Sequence, residues 1–178
     1  MPAKRTVQQL YDLFAPGQAE GAITPDRVQD LILSVLPGFG RISLTAQVET
    51  AIAETNVWVK LAGTTALGEG AFTFTMPQNG RLQCVCPVPS RMVISAAVTL
   101  TNGSQKEFEV ALAKNGTIMT ETIQGARFGP GGGSVEASLL GDFAQQQNDH
   151  VEIWVRNLTD TTNVTATQFY LRGMTNIL

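Results

Sequence analysis

The stretch His150–Asn157, H-V-E-I-W-V-R-N, constrains the fold more than any other part of the chain. Val151, Ile153 and Val155 alternate with Glu152, Trp154 and Arg156. Successive side chains of a strand point to opposite faces, so this reads as a half-buried strand with an aliphatic inner face. Val164–Gly173, V-T-A-T-Q-F-Y-L-R-G, follows; it is rich in β-branched and aromatic residues, which suit a pleated surface. Leu158–Asn163 between them, L-T-D-T-T-N, is polar turn material. The pattern predicts a C-terminal hairpin. A hairpin alone is marginal in water, so other strands must cover its apolar face.

Those strands are legible upstream. Ile42–Val48, Val57–Ala62, Ala71–Met76, Arg81–Pro87, Met92–Thr101, Glu107–Lys114, Thr117–Ile123 and Ser134–Leu140 are short, β-prone and separated by turn signals. Strands at this spacing predict a sandwich or barrel. The sharpest local signal is Asn115-Gly116, which favours a type I′ hairpin turn because both central residues need positive φ. That register sets Leu112 opposite Met119 and Phe108 opposite Ile123. It also sets Val110 opposite Glu121, which predicts a bulge or an edge position for Glu121.

Arg91–Asn102, R-M-V-I-S-A-A-V-T-L-T-N, is nearly continuous apolar residues and threonine. Two readings stand: a central strand buried on both faces, or one whose outer face meets another subunit. Phe128–Ser134, F-G-P-G-G-G-S, reads as a loop tip; it lacks the Gly-Lys-Ser/Thr ending of a phosphate-cradling loop. Trp154 falls on the face opposite Val151, Ile153 and Val155. It is covered within the subunit, or it faces solvent or a neighbour. Large aromatics anchor interfaces, so Trp154 and Tyr170 are the candidate subunit-interface residues.

The N-terminal stretch has a different period. Val7, Leu10, Tyr11 and Phe14 fall on one helical face, ended by Pro16-Gly17. Thr24-Pro25-Asp26 is a helix start, and Val28, Leu31, Ile32 and Val35 make the next apolar face before Pro37. These stripes either pack on the chain's own β body or form the seam of an intersubunit bundle. Residues 1–40 are therefore expected to be a helical docking or assembly arm, and residues 41–178 the β-sandwich. Leu10, Phe14, Leu31 and Val35 are the candidate docking residues.

Composition narrows the function. Charged residues are 15% of the 178, against about 25% in typical soluble domains, which suits a subunit whose flanks are covered by partners. Beyond Lys4-Arg5 there is no basic cluster and the net charge is −3, so nucleic acid is not an expected partner. No apolar run approaches the ~20 residues of a membrane span, and the N-terminus lacks a signal-peptide core, so synthesis in a cytoplasm is expected. Cys84 and Cys86 share a strand face, a poor geometry for a mutual disulfide, and read as small core residues. One histidine, His150, cannot complete a zinc site, and its neighbour Asp149 faces the other side of a strand. No nucleophile–base–orienter set or carboxylate pair announces itself. No enzyme activity, cofactor or metal is expected. The Asn-x-Ser/Thr sequences at Asn102, Asn115, Asn157 and Asn163 sit at turns and read as turn formers.

The arrangement is similar to a known class. I-T-P-D-R-V-Q-D-L-I-L-S-V-L-P-G-F-G (Ile23–Gly40) leads into I-S-L and V-W-V-K-L-A-G-T-T within Ile42–Thr65. F-T-F-T-M-P-Q-N-G-R-L-Q-C-V (Phe72–Val85) and the ending over Val151–Met174 follow. This resembles accessory virion proteins of tailed bacteriophages: capsid decoration (cement) proteins and head- or tail-fibre subunits. Their β domain is similar to the jelly-roll trimers of the tumour-necrosis-factor and complement globular-head type. The resemblance spans roughly residues 20–178 and carries no catalytic motif. It implies a jelly-roll body, a homotrimer, and attachment to the major capsid protein on the outer surface of a virion. The alternative it leaves open is a fibre subunit contacting the host surface through Gly129–Ser134 and Leu158–Asn163.

Overall fold

The computed structural model describes residues 38–68, 73–86, 89–101 and 104–176, together with residues 8, 9, 12, 24, 27, 28 and 31. In chain order the strands are β1 (Gly38–Ala46), β2 (Glu49–Thr50), β3 (Val59–Lys60), β4 (Thr64–Leu67), β5 (Phe74–Thr75), β6 (Arg81–Cys84), β7 (Ser90–Thr101), β8 (Glu107–Lys114) and β9 (Thr117–Ile118). A 3-10 turn (Thr120–Thr122) precedes β10 (Gln124–Arg127), β11 (Val135–Gln145), β12 (His150–Asn157) and β13 (Val164–Asn176).

The strands form two antiparallel sheets packed face to face. The first runs β11-β7-β13-β1-β4, with β2 beside β13. The second runs β10-β8-β12-β6-β5, with β3 beside β12 and β9 beside β8. From β6 onward the long strands alternate between sheets, and strands remote in sequence lie side by side. This is a jelly roll. The predicted C-terminal hairpin is not formed. His150–Asn157 pairs with β8, β6 and β3 in the second sheet, whereas Val164–Asn176 pairs with β7, β1 and β2 in the first. The physical reason lies in the connector. Asn157, wholly buried, accepts from the Thr159 and Asp160 amides and donates to Asp160 Oδ1 and the Thr162 carbonyl. Asn163 then takes the Ile52 amide at 2.9 Å. These bonds carry the chain across the gap between sheets rather than back along the same ladder.

The alternation read from the sequence holds in β12: Val151, Ile153 and Val155 are buried in the core with Leu112, Val110, Phe74 and Leu171. Asn115 and Gly116 have positive φ, 51° and 79°, and Leu112 accepts from the Met119 amide as the turn predicts. Past Met119 the register changes. The 3-10 turn takes up three residues, so Ala126 opposes Phe108 and Gln124 opposes Val110, where Ile123 and Glu121 were expected. This leaves Glu121 exposed, away from the Val110 position that would have buried it. Phe128, read as loop, is a core residue; its ring meets Phe108 edge-on at 5.6 Å. β7 is buried on its inner face alone; its outer face, including Val93, is open.

β1 begins at Gly38, inside the stretch expected as an arm. The remainder of that arm, with Leu10, Phe14 and Val35, lies outside the described residues. Gln8, Gln9, Asp12, Arg27, Val28 and Leu31 have helical backbone, and the Thr24 hydroxyl accepts from the Arg27 amide, as an N-cap does.

A glycine pair sets the inter-sheet distance at one end. Gly40 and Gly173 are cross-strand partners, and the Phe74 ring of the opposite sheet lies on both. A Cβ on Gly40 would sit 2.5 Å from Cβ and Cγ of Phe74; one on Gly173 would sit 3.0 Å from the ring's far carbons. Gly40→Ala is expected to lower stability by about 1–3 kcal/mol, the usual cost of overpacking. Gly173→Ala, which presses only on the outer ring atoms, should cost less. Urea unfolding of both variants checks the order, and an unchanged midpoint for Gly40→Ala would contradict the packing.

Candidate functional site

The two outer faces of the sandwich are built differently. On the second sheet, Trp154 and Glu152 stand opposite Ala111 and Ala113 in the β12–β8 ladder. The two alanines leave room, and the large side chains lie over them. Glu152 is only 2% exposed. Lys60 Nζ and Arg81 Nε donate to its Oε1 at 2.8 and 3.0 Å, and Trp154 Nε1 donates to Oε2 at 3.2 Å. Burial pushes this carboxyl up; the hydrogen bonds from Lys60 and Arg81 outweigh it and hold the group below the usual carboxylate range. Beside it Arg156 donates to Glu109 at 2.7 Å and stacks over the Trp58 ring at 4.7 Å. Each polar handle on this patch is used within the chain.

The first sheet's outer face is not closed in this way. Its cross-strand rows read Asp142, Val93, Met174, Phe39; then Leu140, Ser95, Arg172, Arg41; then Ser138, Ala97, Tyr170, Ser43, Ala66. Leu140 is 70% exposed, Tyr170 44%, and Val93 and Met174 more than a third. Four of the seven large apolar residues exposed among the described residues therefore share one face. The small residues around Tyr170 leave a shallow depression of about 400 Å³. The charges here are partly neutralised: Arg91 Nε donates to both Asp142 oxygens at 2.7 and 2.8 Å, and the Arg172 guanidinium lies 4.6 Å over the Phe39 ring.

The residues singled out from sequence do not converge on one site. Tyr170 lies on the first sheet's outer face and half-buried Trp154 on the second's, so they cannot belong to one contact patch. Leu31 is half-exposed. Asp149 does not orient His150; it holds Lys114 at 2.8 Å and accepts from Asn115 Nδ2 at 2.7 Å and from the Gln146 amide. Burial and nearby Arg81 push the His150 imidazole below its ordinary value. Cys84 and Cys86 are buried and form no disulfide. Among the described residues no three His, Cys, Asp or Glu side chains gather as a metal site, and no helix is long and apolar enough to cross a membrane. Asn115 sits in its turn with positive φ, and its side chain bonds across to Asp149 and His150; the Asn157 side chain bonds within the connector after β12, and that of Asn163 reaches Ile52 and Glu49; Asn102 lies outside the described residues.

Sequence reasoning missed the Glu152 cluster and the Leu140 projection. Lys60 and Arg81 lie far from Glu152 in sequence, so no local pattern joins them. Leu140 was placed at the end of a strand that in fact continues to Gln145.

No family model matches the sequence, and no curated protein matches it either. Two crystal structures of murine APRIL align with the chain. One, at pH 8.5, is 9% identical, covers 78% of this chain and 99% of its own, with a TM-score of 0.45. The other, at pH 8.0, is 10% identical, covers 77% and 98%, with a TM-score of 0.46. The jelly-roll assignment rests on the strand order itself.

The ion cluster gives a pH-dependent expectation. A carboxyl held below its unfolded value stabilises the fold above that value, about 4.3 for glutamate, and the contribution is lost as pH falls through the folded pKa. Glu152→Gln is expected to cost about 2 kcal/mol at pH 7, the scale of hydrogen bonds to a charged group. The gap between variant and parent should close in acid. Thermal melts at pH 7 and pH 3 check this; a gap that widens in acid would contradict it.

Proposed function

We propose that this chain is a self-assembling structural subunit that forms a homotrimer through the outer face of its first sheet. The observation that carries this is the shared exposure of Leu140, Tyr170, Val93 and Met174 on that face. Contiguous exposed apolar surface on a folded protein marks an interaction site. Three copies arranged around an axis bury it in a closed ring, with no free patch left to propagate.

In line with the sequence resemblance, the trimer is a virion decoration protein of a tailed bacteriophage. It binds the major capsid protein on the outer capsid surface and stabilises the shell. Contacts made by linked copies must all break before the shell opens, so weak contacts gain strength through effective concentration. The polarity of the body supports docking by one end. β1 starts at Gly38 beside Thr175, at the end where Lys114, Asn115 and Asp149 meet, so residues 1–37 join the body there. The loops of residues 104–106, 129–133 and 158–163 gather at the opposite end. There Lys106 pairs with Asp160 at 2.6 Å and Gln105 donates to the Gly129 carbonyl. That gathered loop end favours a second reading, a fibre subunit displaying it to a host surface.

Light scattering on the purified chain is expected to give a mass near three times 19.1 kDa. Leu140→Asp should weaken association by at least about tenfold, equivalent to 1.4 kcal/mol, while far-UV circular dichroism stays unchanged. A monomeric parent protein would overturn the trimer. Removal of residues 1–37, ending just before β1, should abolish capsid binding in a co-sedimentation assay and leave the β body folded. Full binding by the truncated chain would overturn docking through the arm. Fragile but infectious heads after gene deletion would favour decoration; lost adsorption would favour the fibre.

A further inference from the structure

A three-fold contact is not like-with-like. Apart from side chains on the axis itself, a residue in a ring of three meets a different residue of its neighbour, so the face must hold both a part that is given and a part that receives. The outer face of the first sheet has one of each. The projection is Leu140, 70% exposed on the edge strand β11. The depression of about 400 Å³ lies around Tyr170, where Ser43, Ala97, Thr99 and Ser138 are too short to fill it. Within one chain the two do not meet. Tyr170 lies two strands across from Leu140 and one same-face row along. That is a separation of about 12 Å, at strand spacings of about 4.8 Å and a rise of about 3.4 Å per residue.

The charges on this face fit the same seating. Arg172 and Arg41 are cross-strand partners, and like charges side by side are unfavourable without an acid between them. Arg172 lies over the Phe39 ring, but neither arginine has a carboxylate partner among the described residues. β11 and β13 are both antiparallel to β7, so they run the same way. With the strands of two copies roughly aligned, Leu140 seated at the neighbour's Tyr170 brings Asp142, two residues further along β11, to the row of the neighbour's Arg172 and Arg41. Asp142 already accepts from Arg91 Nε on both oxygens, at 2.7 and 2.8 Å. An ionised carboxyl has about four acceptor sites, so it can take a second guanidinium and keep the first.

We infer that each copy seats Leu140 in the Tyr170 depression of the next, with Asp142 beside that copy's Arg172 and Arg41, and that this contact closes the ring. The inference deepens the trimer reading and rests on it; it is independent of the capsid reading.

Disulfide trapping on the full-length protein tests it. Leu140→Cys is combined with Tyr170→Cys in one variant and with Ser43→Cys, which keeps the tyrosine, in another. Neither pair can bridge within a chain, since bridged Cα atoms lie within about 7 Å and Ser43 is a further strand away than Tyr170. On mild oxidation at least one pair is expected to give covalent trimers on a non-reducing gel, which reductant returns to monomers, while each single variant stays at monomer mass. A protein that is a trimer by light scattering but that neither pair cross-links would overturn the contact and leave the trimer standing. Cross-links from Leu140→Cys alone would overturn it as well, since Leu140 would then meet its own counterpart. A monomeric parent would remove contact and trimer together. The charge pairing has its own test. Asp142→Lys should weaken association about tenfold, and adding Arg41→Glu should restore most of the loss. Absence of any recovery would overturn the pairing.

Discussion

The first sheet depends on one strand lying at its centre. β13 pairs with β7 on one side, from Thr165 to Asn176, and with β1 on the other, from Tyr170 to Thr175. Without it the sheet falls into a β11–β7 half and a β1–β4 half. β12 has the same position in the second sheet, joining β8 to β6 and β3. The last two strands of the chain are thus the two that hold the body together, one in each layer. Both ladders join residues remote in sequence, so the chain must close long loops before these contacts form. Such non-local pairing makes folding slow relative to helical proteins of similar stability.

This explains why much of the fold was legible and why the pairing was not. Strand character is written locally: the Val151–Val155 alternation and the Asn115-Gly116 turn each act within a few residues, and both hold. Partner choice is not local. Val164–Gly173 follows His150–Asn157 after a polar connector, and that spacing suits a hairpin as well as a crossing between layers. The difference is made by Asn157, whose buried side chain organises the connector through bonds to Asp160 and Thr162. Nothing in the sequence marks that asparagine as buried. The glycines at positions 40 and 173 are another case. Each alone weakens a strand; their purpose is apparent only when Phe74 arrives from the opposite sheet and lies on both.

The candidate site was legible by halves for a related reason. Tyr170 and Trp154 both read as interface residues because large aromatics anchor interfaces. In the structure their surroundings differ. The indole N–H of Trp154 is taken by Glu152, and the carboxylate is in turn held by Lys60 and Arg81, so the aromatic is part of a closed polar cluster. Tyr170 stands among Ser43, Ala97 and Ser138, side chains too small to cover it. Exposure of an aromatic residue depends on its cross-strand neighbours, which come from three other strands and are invisible to a pattern read along one.

The contrast between the two faces bears on what covers them. An antiparallel sheet open to water alternates apolar inward with polar outward residues. The second sheet's outer face follows this rule in the strands that carry Glu109, Glu152 and Arg156, and it neutralises those charges in place. The first sheet departs from it: β7 turns Val93 and Ala97 outward, β13 turns out Tyr170 and Met174, and β11 turns out Leu140. Water alone would act on both faces alike, so it gives no reason for one sheet to keep the rule and the other to break it. The neighbouring copy proposed above supplies one. That copy would cover Leu140, Tyr170, Val93 and Met174, while charges on the same face, Arg91 with Asp142 and Arg172 over Phe39, are already partnered within the chain and need not lose a partner on assembly.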